Sequence, residues 1–110
     1  VGNVFNGHLP AGSGPREFRA VWSEQLLPAV DRFRPQLILV SAGFDAHRLD
    51  PLGGLDVDTA DYAWLTREIV ALADRHTKGR VVSTLEGGYS LTALAEAGAA
   101  HVRALFGIVD

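Results

Sequence analysis

The run Leu37-Ile38-Leu39-Val40 is continuously apolar, and Ser41-Ala42-Gly43-Phe44-Asp45-Ala46-His47 follows it directly. An unbroken apolar run of this length predicts a strand buried on both faces of a parallel sheet. In open α/β sheets the crevice at the carboxyl ends of the strands is where ligands bind. Asp45 is delivered to that place with His47 two residues later, so the acid is a candidate metal ligand. A plainer reading has Asp45 end the strand and hydrogen-bond a turn, and these residues by themselves favour it.

The rest of the pattern supports an α/β order. Val1–Asn6 reads as a short first strand, and Leu9-Pro10-Ala11-Gly12-Ser13-Gly14 is a loop by composition. Pro15 suits the first position of a helix, where its missing N–H is not needed. Phe18, Trp22, Leu26, Val30 and Phe33 then recur at helical spacing, and Pro28 should kink or shorten that helix near its final turns. A strand is predicted over Gln36–Ala42. Asp58 is a plausible N-cap for a second helix, with Asp61 in its first turn. Tyr62, Leu65, Ile69 and Leu72 line that helix's buried side, and Lys78-Gly79 closes it. A second buried strand over Arg80–Leu85 ends in Glu86-Gly87-Gly88-Tyr89. Ser90 can cap a third helix with Leu91, Leu94, Ala95, Val102 and Leu105 on its apolar side, and Gly98 in its middle would mark close packing. Trp22 and Trp64 read as packing residues, and His76 and His101 as solvated or dipole-facing histidines near helix ends. His8 has no recognisable partner.

Composition narrows the function classes. A chain of 110 residues, 47% hydrophobic and 21% charged, fits one globular domain at most. A net charge of -3 gives no reason to expect nucleic acid or an anionic membrane as a partner. Without cysteine there is no disulfide and no thiolate metal site. No apolar stretch approaches the roughly 20 residues that cross a bilayer, and a cytoplasmic setting is the default. The sequence contains no Met and opens on Val1, which fits a piece of something longer, or a chain that has lost its initiator residue.

Two parallel strands joined by one crossover helix present their carboxyl ends on the same side. Asp45 and the Gly87-Gly88-Tyr89 turn should therefore face one crevice. A glycine pair there allows close approach of a ligand to the main chain, and the Tyr89 phenol can donate a hydrogen bond. A metal-ligating Asp opposite a Tyr donor could bind and polarise a carbonyl for hydrolysis. Against this, Gly87-Gly88 could be only a turn and Tyr89 a core residue pinned by one hydrogen bond. A phosphate cradle is a weaker option, since no Lys follows and the spacing fits neither common phosphate fingerprint.

The chain resembles the zinc-dependent histone deacetylase and acetylpolyamine amidohydrolase family, including its bacterial amidohydrolases and particularly the class II-like branch. The likeness is carried by Leu39-Val40-Ser41-Ala42-Gly43-Phe44-Asp45-Ala46, by Asp50-Pro51-Leu52-Gly53-Gly54 and by Leu85-Glu86-Gly87-Gly88-Tyr89-Ser90-Leu91. The loop Leu9–Gly14 and the Leu27-Pro28 step also match. The resemblance implies the carboxyl-terminal portion of a three-layer, parallel-sheet arginase/deacetylase-type α/β fold, with residues 1–110 forming part of one catalytic domain. It further implies that Asp45 is a zinc ligand and that Tyr89 is catalytic, hydrogen-bonding the substrate carbonyl and its oxyanion. Leu52, Gly87 and Gly88 would line the acyl-lysine channel.

In the family the Asp-x-His ligand pair belongs to an earlier strand, so Asp45-x-His47 imitates it without matching it. Residues two apart on an extended chain do share a face, which keeps His47 a minor candidate. The family's tandem His pair and its other two zinc ligands map upstream of this sequence. A catalytic zinc takes three protein ligands plus an open position, and this chain matches one. The resemblance thus implies zinc and an acetylated amine substrate for a longer parent, and a chain that alone neither holds zinc tightly nor hydrolyses amides. Such a piece should miss the amino-terminal part of its domain and self-associate through a raw strand edge. The alternative is a non-catalytic α/β association module.

Overall fold

The computed structural model describes residues 2–108. Residues 2–10 run without regular structure. The expected first strand is therefore absent over residues 2–6, and Val1 lies outside the described residues. A strand persists only where a neighbour satisfies its ladder groups, and among the described residues no strand pairs with this segment.

Helix α1 (Pro15–Val21) starts with proline as expected, and Glu17 Oε2 accepts from the Gly14 N–H at 3.2 Å. It runs into a π-helical turn, Trp22–Leu26, and on into α2 (Leu27–Phe33). The proline effect thus falls before Pro28, and the final turns survive. Pro28 has no N–H to return to the preceding turn, and its ring would crowd the carbonyl four residues back. Widening that turn, with the Leu27 N–H bonding the Trp22 carbonyl, lets the helix pass the proline. Arg34, left-handed at φ 56°, ends it.

Strand β1 (Ile38–Ala42) pairs in parallel with β2 (Val81–Leu85), with Leu39 opposite Val82 and Ala42 opposite Leu85. Between them runs α3 (Thr59–His76), and α4 (Leu91–Leu105) follows β2. Both expected caps form. Asp58 accepts from the Thr59 N–H at 2.8 Å while Asp61 reaches back to the Asp58 N–H, and Ser90 Oγ accepts from the Ala93 N–H at 3.2 Å. After His76, Thr77 and the positive-φ pair Lys78-Gly79 turn the chain into β2.

The core gathers Phe18, Ala42, Phe44, Val57, Tyr62, Leu65 and Ala97, with Trp22, Trp64 and Ile69 packed around them. Only one face of the sheet contributes. On the other, Leu39 is 71% and Val82 56% exposed, and Ser41 and Thr84 are open as well. The expectation of strands buried on both faces is therefore corrected: among the described residues the second face is bare.

Helix α4 also turns differently from its expected orientation. Its buried stripe is Ala93, Ala97, His101 and Ala104, while Leu91, Ala95 and Val102 are exposed and Leu94 and Leu105 half-buried. Small residues let α4 lie close on α3, its main packing partner, and the larger apolar side chains are turned aside. Gly98 is not a close-packing site, since a Cβ there would meet nothing within 4 Å. His101 is buried rather than solvated, and His76 is nearly so, bonded to Asp31 at 2.8 Å. No described helix is long and apolar enough to cross a membrane.

Candidate active site

Parallel pairing continues past the strands and sets the geometry of the site. The Glu86 N–H bonds the Ala42 carbonyl at 2.9 Å, and the Phe44 N–H bonds the Gly87 carbonyl at 2.8 Å. Gly43-Phe44-Asp45 is thereby zipped alongside Glu86-Gly87-Gly88, and the two separated motifs do meet. Phe44 is the anchor: its buried ring packs against Tyr62 at 5.1 Å and edge-on to His101 at 5.7 Å. With Phe44 turned inward, alternation leaves Asp45 at the rim, half-buried.

The Asp45 carboxylate rests over Gly87. A Cβ at residue 87 would stand 2.8 Å from Asp45 Oδ2, and one at residue 43 would stand 3.3 Å from Oδ1. Both glycines therefore make room for the acid. Gly88 has φ 146°, a region that side-chain-bearing residues rarely adopt, and it lies against Leu94 and Phe44. Tyr89 follows with its ring 59% exposed, and Leu52 on the facing loop is 71% exposed.

Asp50 joins the two loops. Its Oδ1 accepts from the Leu52 N–H at 2.8 Å and the Gly53 N–H at 3.0 Å. Its Oδ2 accepts from the Tyr89 N–H at 2.8 Å. Burial pushes this carboxyl upward, but the amides of Tyr89, Leu52, Gly53 and Ser90 outweigh it and hold the group below its ordinary value. Gly53 in turn lies flat on the Asp45 carbonyl, where any Cβ would overlap the oxygen.

His47 is not a free ligand. It is fully buried, its Nδ1 accepts the Leu49 N–H at 3.2 Å, and its Nε2 lies 2.9 Å from Thr59 Oγ1. The Leu49 bond leaves the ring proton on Nε2, donating to Thr59. Both nitrogens hold the loop closed onto the start of α3. Among the described residues no three His, Cys, Asp or Glu side chains could together hold a metal ion. The donor set nevertheless fits one ligand: a carboxylate at a strand end, cradled by a glycine with no room for a methyl.

Two residues have surroundings that the sequence did not foretell. Asp50 belonged to a quoted motif without a role of its own. An Asp followed by Pro and a glycine pair signals a local turn in which its side chain takes the next amides, but a partner at residue 89 has no local signal. The Tyr62 hydroxyl is buried, and although the Ala46 backbone beside it pulls the other way, burial drives its pKa well above the ordinary phenol value. The charges of Asp45, Asp50 and Asp61 push in the same direction.

The parallel pair thus brings an acid at one strand end beside a Gly-Gly-Tyr turn at its neighbour's, in an α/β segment. The sequence profile of the histone deacetylase domain matches residues 1–105, and the chain belongs to that family. It is 47% identical over 106 residues to histone deacetylase 14, chloroplastic, of Arabidopsis thaliana, covering 96% of this chain and 25% of that protein. It is 37% identical over 109 residues to the histone deacetylase-like amidohydrolase of Pseudomonas aeruginosa, covering 97% of this chain and 29% of that protein. The crystal structure of the HDA15 HD domain superposes with a TM-score of 0.81 at 34% identity, over 89% of this chain and 27% of that one. The fold is the arginase/deacetylase fold, and the chain spans about a quarter of the length of these relatives.

Proposed function

We propose that this chain is the portion of a zinc-dependent deacetylase that carries one metal ligand, Asp45, the carbonyl-polarising donor, Tyr89, and part of the substrate channel, Leu52, Gly87 and Gly88. The single observation behind this is the placement of Asp45 over Gly87, beside a turn whose next-but-one residue is an exposed phenol. When bound, zinc supplies Lewis acidity at the substrate carbonyl and to the attacking water. The chain's own groups do the rest. Tyr89 donates a hydrogen bond to the carbonyl oxygen, and that bond strengthens as the oxygen takes on negative charge. Gly87 and Gly88, bare of side chains, allow the acyl-bearing arm to pass close to the backbone. Leu52 gives its methylenes an apolar wall. The substrate class is an acetylated amine, acetyl-lysine or an acetylpolyamine, and the default setting is cytoplasmic.

The test uses the full-length protein. Asp45→Asn should lower zinc content and abolish deacetylation. Tyr89→Phe should keep zinc and lose roughly 100- to 1,000-fold in kcat, as for removal of one oxyanion donor. Full zinc occupancy together with full activity in Asp45→Asn would overturn the assignment. With one of three ligands, the isolated chain should neither bind zinc tightly nor hydrolyse amides; tight zinc binding in calorimetry would contradict this. The bare sheet face keeps a second reading in play, a non-catalytic association module, which differs in what Tyr89→Phe does to activity.

A further inference from the structure

Three pieces of the site converge on one carboxylate that has no chemical role in the reaction. Asp50 Oδ1 fixes the Leu52 and Gly53 amides, and Gly53 lies on the Asp45 carbonyl. Asp50 Oδ2 fixes the Tyr89 amide, 39 residues away in sequence. The Asp50 side chain itself faces these amides and is buried, while the two side chains it supports are exposed. Tyr89 sits directly after Gly88, whose φ of 146° gives the backbone no steric preference that would aim the phenol. The Tyr89 ring makes no hydrogen bond or ring contact among the described residues. Between Gly87, held by the Phe44 N–H, and Ser90, which caps α4, the tie from Asp50 is the bond made to the Tyr89 N–H itself.

We infer that Asp50 is the positioning residue of this site: its two oxygens set the Tyr89 backbone and the Leu52 wall in register with Asp45. The inference rests on the deacetylase reading for its catalytic consequence, and on the hydrogen bonds alone for the tie. The two oxygens have separable jobs. Asn at residue 50 can still accept the Leu52 and Gly53 amides through its remaining oxygen. Its amide nitrogen, however, would face the Tyr89 N–H donor to donor, so the substitution cuts chiefly the Tyr89 tie. A charged carboxylate accepting main-chain N–H groups is among the stronger restraints available, and outer supports of this kind typically carry 10- to 100-fold in activity.

The experiment compares wild type, Asp50→Asn, Tyr89→Phe and the double variant in the full-length protein, with zinc content measured for each. Asp50→Asn should keep its zinc, lose roughly 10- to 100-fold in kcat, and change KM by no more than about twofold. In the Tyr89→Phe background the same substitution should cost much less, because the phenol it positions is gone. Equal losses in both backgrounds would overturn the positioning role. If Asp50→Asn does not fold, amide exchange in the wild-type protein decides: the Tyr89 N–H should exchange at least about 100-fold more slowly than unbonded loop amides. Exchange at the open-loop rate would overturn the tie. A wild-type protein without deacetylase activity would refute the proposed function instead, and Tyr89 exchange would still judge the tie.

Discussion

A methyl group on residue 87 would stand 2.8 Å from Asp45 Oδ2, so Gly87→Ala tests the cradle without removing a polar group. Its backbone is not left-handed, and the fold should survive. Metal affinity of the full-length protein should fall roughly 10- to 100-fold with its melting temperature little changed, read by zinc titration beside a thermal scan. His101 offers a pH test. Thr66 Oγ1 donates to the Tyr62 carbonyl and so accepts from His101 Nδ1 at 2.8 Å, while Ser83 Oγ donates to Nε2 at 2.8 Å. Burial holds this imidazole below its ordinary value, so in acid the unfolded chain takes the proton first. The neutral histidine's contribution is whole above about pH 6.5 and is lost as pH falls from there through the folded value. Denaturant melts at pH 7 and pH 5 should show that loss, and His101→Gln should flatten it. Residue types and spacing foretold the meeting of Asp45 with Gly87-Gly88-Tyr89, because strand ends are a property of the pattern. They could not foretell that both nitrogens of His47 are taken, since Leu49 and Thr59 reach it only once the loop closes.

Elements with local signals formed where the sequence put them. Asp58 with Asp61, Ser90, and Lys78-Gly79 act within one turn of their own positions, so the ends of α3 and the start of α4 were legible. The π turn was not: Pro28 announces a defect, but the surrounding packing decides whether the helix kinks, stops or widens. The rotation of α4 was missed because large apolar side chains outweigh alanines in any hydrophobic pattern, whereas close helix packing prefers the alanines. That rotation leaves Gly98 facing open space. Gly98→Ala should therefore stabilise this chain by about 0.5–1 kcal/mol through helix propensity alone, measured by denaturant melts. A loss instead would mean that something covers that face.

At the scale of the whole molecule, the bare side of the sheet decides between the two readings of the chain. Leu39 and Val82 are cross-strand partners, both exposed, on strands whose outer edges carry no further strand among the described residues. Apolar faces and open edges of this kind drive association, and the isolated chain should self-associate as its concentration rises. Putting opposite charges there, Leu39→Lys with Val82→Glu, keeps the pair mutually favourable and should shift light scattering toward monomer. In the proposed full-length deacetylase the same face belongs inside a larger sandwich. There the double substitution should cost about 3 kcal/mol or more, because two buried apolar side chains become buried charges. A piece of a larger sheet thus requires opposite effects in the two contexts: better behaviour alone, worse stability in the whole. An association module requires loss of partner binding with unchanged stability in the full-length protein. Scattering on the isolated chain and a melt on the full-length protein, run on one pair of substitutions, separate the two.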